Sequence, residues 1–227
     1  GFARDVDPAR PVGGKARDGP QDRGLARPGL AHQPEAFAAA HPKVHAAHGA
    51  IDIVCSNAGV FPNCPLEEMT DKQWETMFDI NTHGTFKVVQ EALPYMKERG
   101  YGRIVNIGSI HSLVASPYKS AYVAAKHGLI GLSKVLALET ADCDITANTL
   151  CPSYVRTPLV ERQIADQART RGIAEDAVIR EVMLKPMPKG AFIEYDELAG
   201  TVAFLMSHAA RNLTGQAIAI DGGWTAQ

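Results

Sequence analysis

The sequence lacks several features that would assign it to a special class. Nothing in its 227 residues approaches the roughly 18–20 consecutive apolar residues of a membrane span, and no signal-peptide pattern is visible. Its four cysteines show no C-x-x-C spacing, which predicts free thiols rather than a metal site or a disulfide framework. A net charge of −2 provides no basic surplus for nucleic acid. These absences predict a cytoplasmic globular protein of enzyme size, with neither a membrane nor a nucleic acid as partner.

Residues 1–50 lack the large apolar side chains that a folded core needs. Leu, Val and Phe together supply seven residues there and Ile none, whereas six of the 14 prolines and seven of the 20 glycines fall in this segment. Such a composition does not readily offset the entropy of ordering the chain. We predict an irregular segment over residues 1–34, a short Ala-rich helix over 34–48, and a folded unit over 51–227. Together with the glycine at position 1, this composition predicts an aberrant or truncated N-terminus.

From residue 51 onward, apolar strands alternate with helical patterns. Strands are predicted over 51–56, 103–109, 145–151 and 216–220, and helices over 71–97, 120–140, 158–185 and 196–207. Thr70 and Gln73 have the spacing of a capping box at the first of these helices. This alternation predicts an α/β fold, a Rossmann-like doubly wound parallel sheet with both faces covered. In such sheets ligands bind beyond the carboxyl ends of the strands.

Polar side chains stand at those strand ends and on the following helix. Ser109 ends the second strand, and Tyr122 and Lys126 lie four residues apart on one helix face. Asn81 shares a helical stripe with apolar residues, so we expect it to face inward and to need a partner. A Lys ammonium about 4 Å from a Tyr hydroxyl would favour the phenolate by roughly 4 kcal/mol, or about three pKa units. The group therefore predicts proton transfer at a substrate oxygen coupled to hydride transfer, with Ser109 holding that oxygen and Asn81 positioning a relay water.

These motifs resemble those of the short-chain dehydrogenase/reductase family. The resemblance covers residues 51–227 and lies in motifs in family order: Asn57-Ala58-Gly59, Asn81, Ser109, Tyr122-x-x-x-Lys126 and Pro152 with Thr157. It implies that Ser109, Tyr122, Lys126 and Asn81 are catalytic. It also implies that NAD is bound by Asn57, Ala58, Gly59, Tyr122, Lys126, Pro152, Val155 and Thr157.

Within the family, the sequence resembles members that oxidise D-3-hydroxybutyrate to acetoacetate. This similarity lies in four stretches, which are KSAYVAAKHG, LETA, VRTPLV and DGGWTA. It implies NAD-dependent oxidation of that hydroxy acid by a homotetramer. The substrate carboxylate would be held by His111, Lys119 and Gln163, and Trp224 would close the pocket.

Three positions depart from those members. Phe61 stands in place of a glutamine that helps bind the carboxylate, Tyr154 in place of a tryptophan, and Ser153 in place of a glycine. A different small hydroxy or keto acid is therefore an open alternative. So is another short-chain dehydrogenase, such as a 3-oxoacyl-carrier-protein reductase.

The family's glycine-rich phosphate loop has no counterpart in the first fifty residues. Gly14, Gly19, Gly24 and Gly29 recur every five residues, but no strand precedes them and prolines interrupt. We therefore expect the N-terminal strands and the cofactor loop to be missing or replaced, which would expose the strand at residue 51 as a sheet edge. A catalytically inactive fragment that binds no dinucleotide is the alternative from a different functional class.

Overall fold

A computed structural model describes residues 50–226 of the chain. Within this range one parallel sheet has four strands in the order β1-β2-β3-β4. The strands are β1 Ile53–Ser56, β2 Tyr101–Ile107, β3 Asp144–Pro152 and β4 Ala217–Ile220. The predicted α/β class and parallel pairing are confirmed. The proposed features of residues 1–49, including the irregular segment, the short helix and the missing cofactor loop, lie outside the described residues.

Helices connect the strands. They are α1 Asp71–Phe78, α2 Gly84–Arg99, α3 Ser120–Glu139, α4 Pro158–Arg171, α5 Glu175–Val178 and α6 Tyr195–Met206. A π-helical turn, Asp79–His83, joins α1 to α2, and a second, Ile179–Met183, follows α5. The predicted capping box opens α1: Thr70 N donates to Gln73 Oε1 at 2.9 Å, and Gln73 N donates to Thr70 Oγ1 at 3.3 Å. Among the described residues, no helix is both long and apolar enough for a bilayer crossing.

The prediction of a single helix over residues 158–185 is wrong. Helix α4 ends at Arg171 because Gly172 adopts a left-handed conformation with φ +66°, and its N–H donates to the carbonyl of Ala168. This is the usual glycine termination of a helix. The chain then turns before α5, so the region forms two short packed helices instead of one long one.

Both faces of the sheet are covered. On one face, α2 and α3 pack over Val54, Ile104 and Ala147; on the other, α6 packs Leu205 against Val105 and Leu150. A buried polar chain also ties α3 to the sheet, through Asn106 Nδ2 donating to Ser133 Oγ at 3.0 Å and Ser133 Oγ lying 2.8 Å from Thr149 Oγ1. These contacts fix α3, which carries Tyr122 and Lys126, over the carboxyl ends of β2 and β3.

Strand β1 forms one edge of the sheet within residues 50–226. It pairs with β2 alone in this range, and its side chains Ile53 and Cys55 are exposed, Ile53 by 46%. All four cysteines are free thiols, as predicted.

Candidate active site

A small cavity lies at the carboxyl ends of the strands, where the fold class predicts a site. Its volume is about 100 Å³, and five of the predicted site residues line it: Ser109, His111, Lys119, Tyr122 and Gln163. They come from three separate segments, namely the turn after β2, the start of α3 and the middle of α4. The fold therefore brings together side chains that lie up to 54 positions apart in the sequence.

Ser109 is fixed by the turn that follows β2. Its backbone N–H donates to Ser112 Oγ at 3.1 Å, and the His111 N–H donates to Ser109 Oγ at 3.2 Å. The Ser109 hydroxyl lies near enough to Tyr122, in the first turn of α3, to act to lower the pKa of that phenol. A substrate oxygen in the cavity would therefore meet both hydroxyl groups.

The expected lowering of the tyrosine pKa is wrong for this structure. Burial raises the pKa of Tyr122, against the opposing effect of the nearby Ser109 hydroxyl. Lys126 Nζ lies 5.8 Å from the centroid of the Tyr122 ring and donates to the carbonyl of Ile107 at 2.8 Å. Burial also lowers the pKa of Lys126 to about 8. Both groups are removed from water, and desolvation disfavours the charged form of each.

Asn81 lies in the π-helical turn and is fully buried, as the stripe predicted. Its Oδ1 accepts from Val60 N at 3.2 Å, while its Nδ2 donates to Val60 O at 2.9 Å and to Met77 O at 3.0 Å. The side chain thus ties the loop after β1 to the helix. A relay water at Asn81 stays a prediction.

Gly59 packs against this arrangement so closely that a side chain would disrupt it. A Cβ at this position would lie 2.8 Å from Asn81 Oδ1 and 3.5 Å from Lys126 Nζ. We expect Gly59→Ala to destabilise the fold by about 1–3 kcal/mol, because Asn81 must move and lose its contacts with Val60. Urea unfolding followed by circular dichroism measures this.

Gly131→Ala is the matched control for Gly59→Ala. Gly131 lies within α3, and apart from its own stretch of helix nothing lies within 4 Å of the position its Cβ would occupy. Alanine should stabilise the helix there by up to about 1 kcal/mol. Equal unfolding midpoints for the two variants would contradict the close packing assigned to Gly59.

A polar group suited to an anion lines one wall of the cavity. Lys119 Nζ lies 3.0 Å from His111 Nε2 and 5.6 Å from the centroid of the Phe61 ring. Burial lowers the pKa of Lys119, and burial together with the Lys119 charge lowers the pKa of His111 to about 4. The imidazole is therefore neutral at neutral pH.

Gln163 brings a further donor to this wall from α4. Its Nε2 is buried and has no hydrogen-bond partner among the described residues. A buried amide N–H without a partner is costly, and such groups usually meet a ligand or an ordered water. A carboxylate in the cavity would accept from it.

The Phe61 and Tyr154 rings line the rest of the cavity together with Ile110, Ser153 and Val160, and Trp224, predicted to close the pocket, lies outside this lining. Tyr154 stacks on Trp224 with ring centroids 6.1 Å apart, His111 meets Trp224 edge-on at 5.9 Å, and Phe61 lies 5.4 Å from the Tyr122 ring. The resemblance gave Phe61 the place of a carboxylate-binding glutamine, and the structure puts both Phe61 and Tyr154 in the lining of the cavity, although neither was predicted as a site residue. Their positions just after the carboxyl ends of β1 and β3 were a usable signal.

The predicted cofactor-binding residues border the same edge of the sheet. Asn57, Ala58 and Gly59 follow β1 and are exposed, Pro152 ends β3, and Val155 and Thr157 lead into α4, where Thr157 Oγ1 accepts from Val160 N at 3.2 Å. The hydrogen bonds of Lys126 indicate whether a dinucleotide can bind at this edge. One of its three N–H groups donates to Ile107 O. The other two can donate to hydroxyl groups such as those of a ribose, as binding of a nicotinamide dinucleotide here would require.

Asp221 holds Trp224 in place. Its carboxylate accepts from Gly223 N at 2.9 Å, Thr225 N at 2.8 Å and Thr225 Oγ1 at 2.6 Å. Burial works against the charged form, but these hydrogen bonds outweigh it and lower the pKa of Asp221 below its ordinary 3.8. The stability they contribute is fully present above that ordinary pKa and is lost as the pH falls through the lower, folded-state value.

Asp221→Asn should therefore destabilise the protein by about 1–3 kcal/mol near neutral pH. The difference from wild type should shrink below about pH 4, where the unfolded-state carboxyl is itself protonated. Thermal unfolding across that pH range, followed by tryptophan fluorescence, measures both effects. A destabilisation independent of pH would contradict the role of the charged carboxylate.

Comparison with known proteins finds matches to proteins named as dehydrogenases and reductases. A family profile described as Enoyl-(Acyl carrier protein) reductase matches residues 25–225. D-beta-hydroxybutyrate dehydrogenase of Rhizobium meliloti (strain 1021) is 50% identical over 179 residues, covering 79% of this chain and 69% of that protein. The enzyme of the same name from Cupriavidus necator is 45% identical over the same shares of the two chains. A variant of actinorhodin polyketide ketoreductase solved with NADPH superposes with a TM-score of 0.81 and 29% identity, covering 87% of this chain and 76% of that one.

Proposed function

The chain belongs to the short-chain dehydrogenase/reductase family of oxidoreductases, and we propose that it transfers a hydride between NAD and a small hydroxy acid. D-3-hydroxybutyrate and acetoacetate are the proposed pair. The support for this pair is the anion-binding wall of the cavity together with the similarity to proteins named for that substrate. The choice of NAD over NADP follows the family resemblance.

One observation favours a free acid most strongly. The buried, unpartnered Nε2 of Gln163 shares a cavity with Lys119, and Ser109 and Tyr122 line the same space. The carboxylate of a small hydroxy acid would accept hydrogen bonds from Gln163 and Lys119, while its hydroxyl group would meet Ser109 and Tyr122. The volume of about 100 Å³ lies well below the roughly 300–1,000 Å³ of pockets for larger ligands. It suits a short acid better than an acyl chain on a carrier protein.

The proposed chemistry divides between the cofactor and the residues of this chain. A bound nicotinamide would accept or supply the hydride. Tyr122 takes or gives the proton at the substrate oxygen, and Ser109 holds that oxygen by a hydrogen bond. Lys126 would bind the ribose hydroxyl groups of the cofactor through the N–H groups that do not donate to Ile107 O. Burial raises the pKa of Tyr122, so its hydroxyl group keeps its proton near neutral pH until the reaction takes it.

Cofactor binding and turnover of the full chain test the proposal. Titration with NADH up to about 1 mM, the upper end of usual KM values, should show saturation. D-3-hydroxybutyrate should then be oxidised with NAD in preference to NADP. Absence of NADH binding would favour the inactive-fragment alternative. Faster reduction of a 3-oxoacyl carrier protein than of acetoacetate would favour the reductase alternative.

We further propose that the chain assembles as a homotetramer, as the family resemblance implies. Analytical ultracentrifugation of the full chain measures its mass in solution. A monomer across the micromolar range would contradict this proposal without affecting the proposed chemistry.

A further inference from the structure

The turn that follows β2 contains a second buried serine, which the chemistry proposed above does not use. Ser112 closes the single 3₁₀ turn Ile110–Ser112 and is 1% exposed. Its Oγ accepts from Ser109 N at 3.1 Å, and its own N–H donates to the Ser109 carbonyl at 2.8 Å. Ser112 therefore holds both backbone polar groups of Ser109.

The side chain of Ser109 is held within the same turn. The His111 N–H donates to Ser109 Oγ at 3.2 Å. A serine hydroxyl has one proton to donate and two lone pairs that accept. Because the His111 N–H occupies one lone pair, the proton of the Ser109 hydroxyl remains for a substrate oxygen in the cavity. The fixed position of the His111 N–H also limits the directions in which Ser109 can present that proton.

Close packing against β3 confines the Ser112 hydroxyl. At Gly108, a Cβ would lie 2.7 Å from Ser112 Oγ and 2.7 Å from Thr149 Cγ2. A side chain at Gly108 would therefore displace Ser112 or the strand. The Gly108 N–H donates to Leu150 O at 2.8 Å, which ties the start of the turn to β3. Ser112 thus lies in a tight space beside the residue that leads into Ser109.

We propose that Ser112 is a positioning residue, which fixes the backbone of Ser109 so that the Ser109 hydroxyl points its proton at the substrate oxygen. The part of this inference that concerns the substrate rests on the proposed function. Ser112 does not line the cavity, so it acts on the reaction only through Ser109. The dependence runs in one direction, from the Ser112 hydroxyl to the Ser109 backbone, and from the Ser109 hydroxyl to the His111 N–H.

Amide hydrogen exchange of the isotope-labelled full chain, followed by NMR, tests the positioning without substrate or cofactor. In Ser112→Ala the Ser109 N–H loses its acceptor and the His111 N–H loses a correctly placed Ser109 hydroxyl. Both should exchange about tenfold faster, the usual effect of one lost hydrogen bond. Ser109→Ala should speed exchange at His111 and leave the N–H of position 109 protected, because Ser112 is still present.

Two results of the exchange experiment would overturn the proposal. One is an unchanged rate at His111 in Ser112→Ala. The other is an equal acceleration of the amides of β2, which report a general loss of stability. Thr140→Val is the matched control, since Thr140 is fully buried at the far end of α3 and its hydroxyl donates to Leu136 O at 2.8 Å. It should leave exchange at Ser109 and His111 at the wild-type rate.

Oxidation of D-3-hydroxybutyrate with NAD tests the consequence for catalysis. Ser112→Ala should lower kcat about 10- to 100-fold, as a displaced reacting group does, and should leave KM within about twofold of wild type. Thr140→Val should change neither. In a chain that already carries Ser109→Ala, adding Ser112→Ala should change kcat by less than about twofold, because the hydroxyl that Ser112 positions is already gone.

The double variant separates positioning from an independent effect. If the two substitutions multiplied their losses of kcat, the positioning role would be overturned. A wild-type chain with the expected exchange pattern that oxidises no D-3-hydroxybutyrate would contradict the proposed function while supporting the assignment of Ser112 to Ser109.

Discussion

Replacing Tyr122 by Phe should lower kcat by roughly 10²–10⁴-fold, the usual contribution of a positioned general acid or base. The change removes the hydroxyl group that meets Ser109 and keeps the ring, which packs 5.4 Å from Phe61. The fold and the anion-binding wall should therefore persist, and KM should change much less than kcat. Steady-state oxidation of D-3-hydroxybutyrate, together with a thermal unfolding curve, separates the lost chemistry from lost structure.

Tyr195→Phe is the control for Tyr122→Phe. Tyr195 begins α6 and is 56% exposed, so removing its hydroxyl should leave both kinetic parameters near wild type. If Tyr122→Phe retained more than about a tenth of the wild-type kcat, proton transfer would have to be assigned to another group.

Replacing Lys119 by Met should instead raise KM for D-3-hydroxybutyrate about 10- to 100-fold, the equivalent of one charged hydrogen bond. Methionine fills similar space and keeps the contact with Phe61, but it offers no donor to a carboxylate. The proton-transfer groups Ser109 and Tyr122 are untouched, so kcat at saturating substrate should fall far less. Kinetics over a wide range of substrate concentration resolve the two parameters.

Lys72→Met provides the matched control for Lys119→Met. Lys72 lies on α1 and is exposed, away from the cavity lining. Its replacement should leave KM within about twofold of wild type. An unchanged KM in Lys119→Met would contradict the carboxylate-binding wall and would favour an uncharged substrate. An effect on kcat at Tyr122 and an effect on KM at Lys119 would together support proton transfer by the first residue and carboxylate binding by the second.

Features that depend on local spacing were predicted correctly. Thr70 and Gln73 form the capping box because a helix start brings residues three apart into contact. The parallel strands followed from short apolar runs separated by helical patterns, and the burial of Asn81 followed from its place on an apolar stripe. The division of residues 158–185 into two helices was missed, although Gly172 was a readable termination signal.

The order of apolar and polar residues thus predicted the fold class, the sheet edge of the candidate site and the inward place of Asn81, because helix and strand periodicities act over a few residues. His111, Lys119 and Gln163 were predicted only from the resemblance to the family. The tertiary structure decided the chemical states of those side chains. It showed that burial raises the pKa of Tyr122, that Phe61 packs against it, and that Lys119 lies 3.0 Å from His111. A pKa depends on how much water and which charges surround a group. Those surroundings come from segments distant in the chain, so they exist only once the chain has folded.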